Sequence, residues 1–204
     1  MQTATASEGY SSKSEDRVAI LQQANTVILA VADGAGGLSG GAEAAEVALE
    51  LLVHRVSQPA WLPQPAECVA ALREMDRTIW QRESAGQTTV VIAMVTDCYV
   101  FGASVGDSGA WLIDTPGMID LTHGQRRKPL CGSGSAIPVG FGPTLFMGTL
   151  LVATDGLFKY ARRTEIQRVA TGSDLAYAAR SLIDLVRLPN GELQDDVALG
   201  LCRL

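Results

Sequence analysis

The sequence predicts an α+β fold built on antiparallel sheets. Three observations carry that expectation. Short β-favouring runs follow one another through tight turns. Helical segments arrive in pairs between those runs, whereas a doubly wound parallel sheet alternates single strands with single helices. Residues 89–95, TVVIAMV, are apolar on both alternations, as in a strand covered on both faces. With 204 residues, 47% hydrophobic and 19% charged, the chain can bury a substantial core as one domain over 1–204 and is excluded from the disordered and fibrous classes.

In chain order, the first sixteen residues are polar and lack the apolar centre of a signal peptide. Residues 17–21 and 26–32 read as a hairpin closed by the polar turn QQAN. A glycine cluster, DGAGGLSGG, fills 33–41, with Asp33 and Gly34 expected in a tight turn. Ala45, Ala48, Leu49, Leu52, Val53 and Val56 recur at helical spacing over 42–57, and Pro59, Pro63 and Pro65 end that helix. A second helix over 66–83 places Val69, Leu72, Asp76 and Ile79 on one stripe, in which the aspartate is out of character. Residues 87–113 read as a three-strand meander with turns at Asp97 and at Gly106 and Asp107. The Gly-, Pro- and base-rich stretch 122–148 reads as a surface loop or flap. A strand over 148–155 ends in Asp-Gly, helices follow at 163–170 and 173–187, and 197–204 form a last strand after the loop LPNGELQDD.

Charge and composition narrow the function. A net charge of −6 is the wrong sign for nucleic acid or an anionic membrane as main partner, since both need a concentrated positive field. No apolar run approaches the ~18 residues that span a bilayer. The four cysteines are scattered without a C-x-x-C pair, so they read as reduced thiols in a cytoplasmic protein. His54 and His123 are the only histidines, which argues against imidazole-rich metal sites and a Ser-His-Asp hydrolase. Any metal ligands should be oxygens.

The acids have a pattern. Asp33, Asp107 and Asp155 each end a strand, Asp195 and Asp196 precede the last one, and Glu15 and Asp16 open the first. Each alone is compatible with an ordinary turn or a solvated loop. Together, on strand ends that bring distant residues to one rim, they point to a site for Mg²⁺ or Mn²⁺. Crowded carboxylates cannot all stay ionised without a cation between them.

Six segments then become familiar in order: SEDR at 14–17, VADGAGG at 31–37, GQTTVVIAMV at 86–95, SVGDSGAWLI at 104–113, LLVATDGL at 150–157 and DDVALGL at 195–201. Over nearly the whole chain this set resembles the metal-dependent Ser/Thr protein phosphatases of the PPM (type 2C) family, in their compact bacterial form. The resemblance implies an αββα sandwich with a dinuclear Mn²⁺ or Mg²⁺ centre at one edge. Asp33 would bridge the two ions, Asp155 and Asp195 would complete the first, and Glu15 with the Gly34 carbonyl would serve the second. Asp16 would orient a water there, and Asp107 with Asp155 would hold a third ion. A hydroxide generated at that centre would hydrolyse phosphoserine or phosphothreonine on a protein partner, opposing a cognate kinase, with the enzyme a monomer.

The chain departs from the family pattern at several points. Ser11 stands where an arginine often grips substrate phosphate, Gly109 follows the G-D-S, Asp196 replaces the asparagine of D-N, and Ala35 replaces a histidine sometimes found after the first D-G. Lys13, and Arg126 and Arg127 of the flap, are the substitutes for phosphate contact; a solvated charged surface is the plain alternative for them. Two other functions remain open on the same fold: a silent phosphoprotein-binding domain, and a phosphatase for a small phosphoester.

Overall fold

The computed structural model describes residues 1–11, 13–35, 40–58, 61–115 and 117–204. The chain forms, in order, β1 (Gln2–Glu8), β2 (Asp16–Gln23), β3 (Thr26–Gly34), α1 (Gly41–Val56), α2 (Pro65–Trp80), β4 (Thr88–Val95), β5 (Tyr99–Val105) and β6 (Gly109–Ile113). It continues through β7 (Met118–Asp120), β8 (Val139–Leu145), β9 (Thr149–Ala153), α3 (Asp155–Phe158), α4 (Arg163–Ala170), α5 (Leu175–Asp184) and β10 (Val197–Arg203). Two antiparallel sheets, ordered β1-β10-β9-β6-β7 and β2-β3-β4-β5-β8, pack face to face with helices outside. This is the expected αββα sandwich.

Alternation along the strands sorts the core into three layers. On β3, Leu29 and Val31 face the other sheet; with Val91 and Ala93 of neighbouring β4 they pack in one cluster with Leu150 and Val152 of β9. Ile28, Ala30 and Ala32 point the opposite way, against Ala44, Ala45, Ala48 and Leu52 of α1. The alanines let that helix approach the sheet closely. In the first sheet, Leu151, Ala153, Leu199 and Leu201 turn outward onto Ile166 of α4 and Ala179 and Leu182 of α5. Each fully buried leucine or isoleucine contributes about 1.5–3 kcal/mol of transfer free energy, which is why both faces of the central strands are apolar. No helix among the described residues is long and apolar enough to cross a membrane.

Local signals explain the helix ends. Pro65 occupies the first turn of α2, where its missing N–H is no loss. Asp174 caps α5 by accepting the Tyr177 N–H at 2.9 Å. Asp76, out of character on an apolar stripe, is buried, and its carboxylate accepts the N–H groups of Gly132 (2.8 Å), Gly134 (3.0 Å) and Ala136 (3.1 Å). It pins a loop to the helix.

Several expectations need correction. The polar N-terminus, to which the sequence assigned no element, forms an edge strand: β1 pairs with β10 along its whole length, Gln2 to Arg203 through Glu8 to Val197, and its Ala4 and Ala6 pack on the outer core. The meander over 87–113 is interrupted. β4 and β5 pair, but the chain then crosses at Gly106, whose φ of +91 suits glycine, and β6 joins β9 and β7 in the other sheet. The stretch 122–148 is not wholly loop, because residues 139–145 form edge strand β8 against β5; two glycines and Pro143 hide its strand character. Asp33 and Gly34 are no tight turn but the last two residues of β3, paired with Thr89 and Thr88. Helix α5 stops at Asp184, short of 187. Gly36 and Gly37 of the glycine cluster, with Leu38, Ser39 and Pro59, lie outside the described residues.

Candidate metal centre

The sheet register brings the acids together. Asp16 and Asp33 are direct partners across β2 and β3. Both continue the alternation that points inward between the sheets, Asp16 before Val18 and Ile20, Asp33 after Leu29 and Val31. Directly opposed like charges on neighbouring strands repel, so the pairing is unfavourable unless a counter-charge intervenes. From the facing sheet, Asp155 follows the end of β9 and Asp195 precedes β10, its antiparallel neighbour. Asp107 lies in the crossover before β6, whose Gly109 pairs with Ala153. Five acids from separate segments therefore reach the same end of the sandwich. They line one cleft of about 680 Å³ together with Glu15, Gly34, Asp196, Lys13, Arg127, Lys128 and Lys159.

Hydrogen bonds fix the acids' backbones. The Asp33 N–H donates to Thr89 Oγ1 at 3.2 Å, and Thr88 Oγ1 donates to the Asp33 carbonyl at 2.8 Å. Thr89 Oγ1 is itself 2.6 Å from Ser108 Oγ. Asp196 Oδ1 and Oδ2 accept the N–H groups of Tyr10 (2.7 Å) and Glu15 (2.6 Å), tying the N-terminal segment to the loop before β10. Asp196 thus positions Glu15. Close packing demands two of the glycines: a Cβ on Gly34 would lie 2.5 Å from the Gly41 carbonyl carbon, and one on Gly41 would lie 2.6 Å from Glu15 Oε2. Together they leave the cradle beside Glu15 free of side chains.

The electrostatics are those of crowding. Burial, followed by repulsion from Asp16, Asp155, Asp195 and Asp107, pushes the Asp33 carboxyl up to about 9. Asp16 rises to about 7, chiefly through burial, with Asp196, Asp195 and Asp155 adding repulsion against relief from Thr154. Asp155 is raised by burial despite the opposing pull of Lys159. Lys159 Nζ lies 2.6 Å from Asp155 Oδ2 and 3.3 Å from Asp195 Oδ2. Burial disfavours its charge, but the hydrogen bond to Asp155 and the two carboxylates outweigh that and hold its pKa above the usual value.

A pair of hard dications fits this donor set. Every ligating candidate is an oxygen, and the Glu15 Oε2 and Asp16 Oδ2 atoms are buried without a hydrogen-bond partner. Among the described residues no three acidic, thiol or imidazole groups already stand at cage distance. The carboxylates line the walls of the cleft, and Lys159 lies between two of them. The orphaned oxygens decide the matter in favour of a fit.

Residues 5–128, more than half of the chain, match the family model described as protein phosphatase 2C. The chain belongs to the protein phosphatase 2C family. No curated protein matches the sequence significantly. Solved structures match the fold over almost its full length. A bacterial serine phosphatase is similar at 22% identity and TM-score 0.86, covering 98% of this chain and 96% of that one. A serine/threonine phosphatase from Staphylococcus aureus is similar at 21% identity and TM-score 0.85, covering 100% and 94%. The catalytic domain of the phosphatase PstP, solved with two manganese ions, is similar at 19% identity and TM-score 0.78, covering 98% and 96%. At these identities the likeness concerns the phosphatase 2C fold.

The expected residues divide unevenly. Glu15, Asp16, Asp33, Gly34, Asp107, Asp155 and Asp195 all line the cleft, as do Lys13 and Arg127. Arg126 is not among the lining residues; its neighbours Arg127 and Lys128 are. Arg127 Nε reaches Asp107 Oδ2 at 2.7 Å, so the flap cation meets the crossover acid. Sequence reasoning missed Lys159. The available signal was its spacing of four from Asp155, which on a helix start stacks ammonium over carboxylate.

Proposed function

We propose that this member of the phosphatase 2C family is a metal-dependent phosphatase acting on phosphoserine and phosphothreonine of protein substrates, opposing a partner kinase. One observation carries the reading: acids from both sheets meet around one cleft, with buried carboxylate oxygens that no described residue satisfies. In this reading Asp33, Asp155 and Asp195 would hold one divalent ion, and Asp33, Glu15 and the Gly34 carbonyl would hold another. Asp107, with Asp155, offers a place for a third. When bound, such ions supply a hydroxide nucleophile near neutral pH and offset charge on the phosphoryl oxygens.

The chain's own groups do the rest. Asp16 Oδ2, buried and unpartnered, accepts a hydrogen from the attacking water and so orients it towards phosphorus. Thr88 and Thr89 hold the Asp33 backbone, and Asp196 holds that of Glu15, so the acids keep their spacing through the reaction. Lys13, Arg127 and Lys128 line the same cleft as the acids, Arg127 paired with Asp107, and attract the phosphate dianion. The loop carrying Arg127 and Lys128 is anchored at Cys131 and just beyond it: Thr88 and Cys131 exchange backbone hydrogen bonds of 2.9 and 3.0 Å, and Asp76 accepts the N–H groups of Gly132, Gly134 and Ala136. A cleft with a cationic rim suits an extended phosphopeptide. Four free cysteines suit a reducing cytoplasm, and we take residues 1–204 as one catalytic unit acting as a monomer.

The test is hydrolysis of a phosphothreonine peptide and of p-nitrophenyl phosphate by the purified chain with Mn²⁺. Turnover of both that stops on adding EDTA is expected. Full turnover under chelation overturns the metal reading, and turnover of the small ester alone overturns the protein substrate.

A further inference from the structure

Lys159 places a fixed cation inside a site that otherwise gathers anions. It follows directly on α3, four residues after Asp155, and its backbone N–H donates to the Asp155 carbonyl at 2.9 Å. Its ammonium bridges Asp155 Oδ2 and Asp195 Oδ2, the two carboxylates assigned above to one ion. The Asp155 side chain is only 10% exposed, so the Asp155 end of the bridge is the less screened one, while Lys159 (40%) and Asp195 (42%) remain open to solvent. Across the cleft the picture reverses. Among the described residues Glu15 Oε2 and Asp16 Oδ2 have no hydrogen-bond partner. The protein neutralises one half of its acidic site and leaves the other half open.

Resting on the metal-centre reading, we infer that Lys159 is a tethered counter-ion that fills the Asp155–Asp195 half of the centre in the metal-free protein and competes with a divalent ion for it. Loading is then stepwise. The first ion enters at the Glu15 and Asp33 side, where among the described residues no cation is paired with either carboxylate. The second must displace the Lys159 ammonium from both carboxylates, and it binds more weakly for that reason. The displaced side chain stays on the cleft wall, since its backbone is fixed by α3. The second step makes the enzyme respond to divalent-ion concentration.

The test is Mn²⁺ titration of the full chain by calorimetry and by electron paramagnetic resonance of free Mn²⁺, together with thermal unfolding in EDTA. Lys159→Met is compared with wild type and with Lys159→Arg, which keeps the charge. Two classes of site are expected in wild type. In Lys159→Met the weaker class should tighten about tenfold or more, the scale of one lost charge-assisted contact, while the tighter class is unchanged. In EDTA the same variant should melt below wild type, because Asp155 and Asp195 lose their counter-ion; Lys159→Arg should stay near wild type in both assays. Unchanged or weakened Mn²⁺ binding by Lys159→Met, with wild type binding normally, overturns the competition and leaves the metal centre standing. No Mn²⁺ binding by any of the three proteins overturns both. If Lys159→Met fails to fold, Lys159→Gln takes its place with the same criteria.

Discussion

Replacing the titratable carboxyl of Asp33 by an amide should stabilise the metal-free protein while destroying its function. The Asp33 carboxyl is pushed from its ordinary 3.8 to about 9 by burial and by the acids around it. A raised carboxyl means that the folded chain binds a proton that the unfolded chain releases. Its stabilising contribution is therefore complete below pH 4 and is lost as pH rises towards 9. From 3.8 to pH 7 the penalty amounts to on the order of 4 kcal/mol, at about 1.4 kcal/mol per pH unit. An asparagine in its place would still bury an amide among acids, so about half of that, or roughly 2 kcal/mol, is recovered by Asp33→Asn. For a domain of this size roughly 2 kcal/mol corresponds to an increase of about 4–8 °C in Tm. The assay is calorimetric unfolding in EDTA from pH 5 to 8.5. Wild type should lose Tm steadily with pH, and Asp33→Asn should lose less and exceed it at pH 7. Saturating Mn²⁺ should raise the wild-type Tm far more than that of the variant, and turnover by the variant should vanish. A variant that melts no higher than wild type in EDTA at pH 7, or that Mn²⁺ stabilises equally, refutes the electrostatic reasoning.

Two further perturbations separate binding from architecture. Arg127→Ala should raise KM for a phosphopeptide several-fold with a smaller fall in kcat, whereas Arg126→Ala, outside the cleft lining, should change neither; steady-state kinetics with Mn²⁺ saturating decides between them. Asp196→Ala removes the acceptor for the Tyr10 and Glu15 N–H groups, so hydrogen exchange should quicken over residues 10–15 and Mn²⁺ affinity should fall, and unchanged exchange there would deny Asp196 its positioning role.

The acids were legible because strand ends are legible. A run such as VILAVA declares its alternation, and continuing it by two residues puts Asp33 on the inter-sheet face with Val31. Family resemblance supplied what alternation cannot, namely that Asp155 and Asp195 come from the opposite sheet to the same rim. The crossover after β5 was hidden because only the φ of Gly106 and the pairing of β6 reveal it. Strand β1 was hidden because threonines and alanines on an edge strand carry too little apolar signal, although its Ala4 and Ala6 alternate correctly. Asp76 was visible as an anomaly, but its partners lie 56 to 60 residues away in a loop without periodicity. Lys159 escaped because its meaning depends on a helix starting at Asp155, a boundary that a four-residue helix does not announce.

Anomalous diffraction from crystals soaked in Mn²⁺ is the most direct test of the central claim, that the crowded oxygens at this end of the sandwich are held together by divalent ions. Two manganese peaks in the cleft, both in contact with Asp33 and with Lys159 drawn away from Asp155, are the predicted result. A cleft without anomalous signal at saturating Mn²⁺ would contradict it.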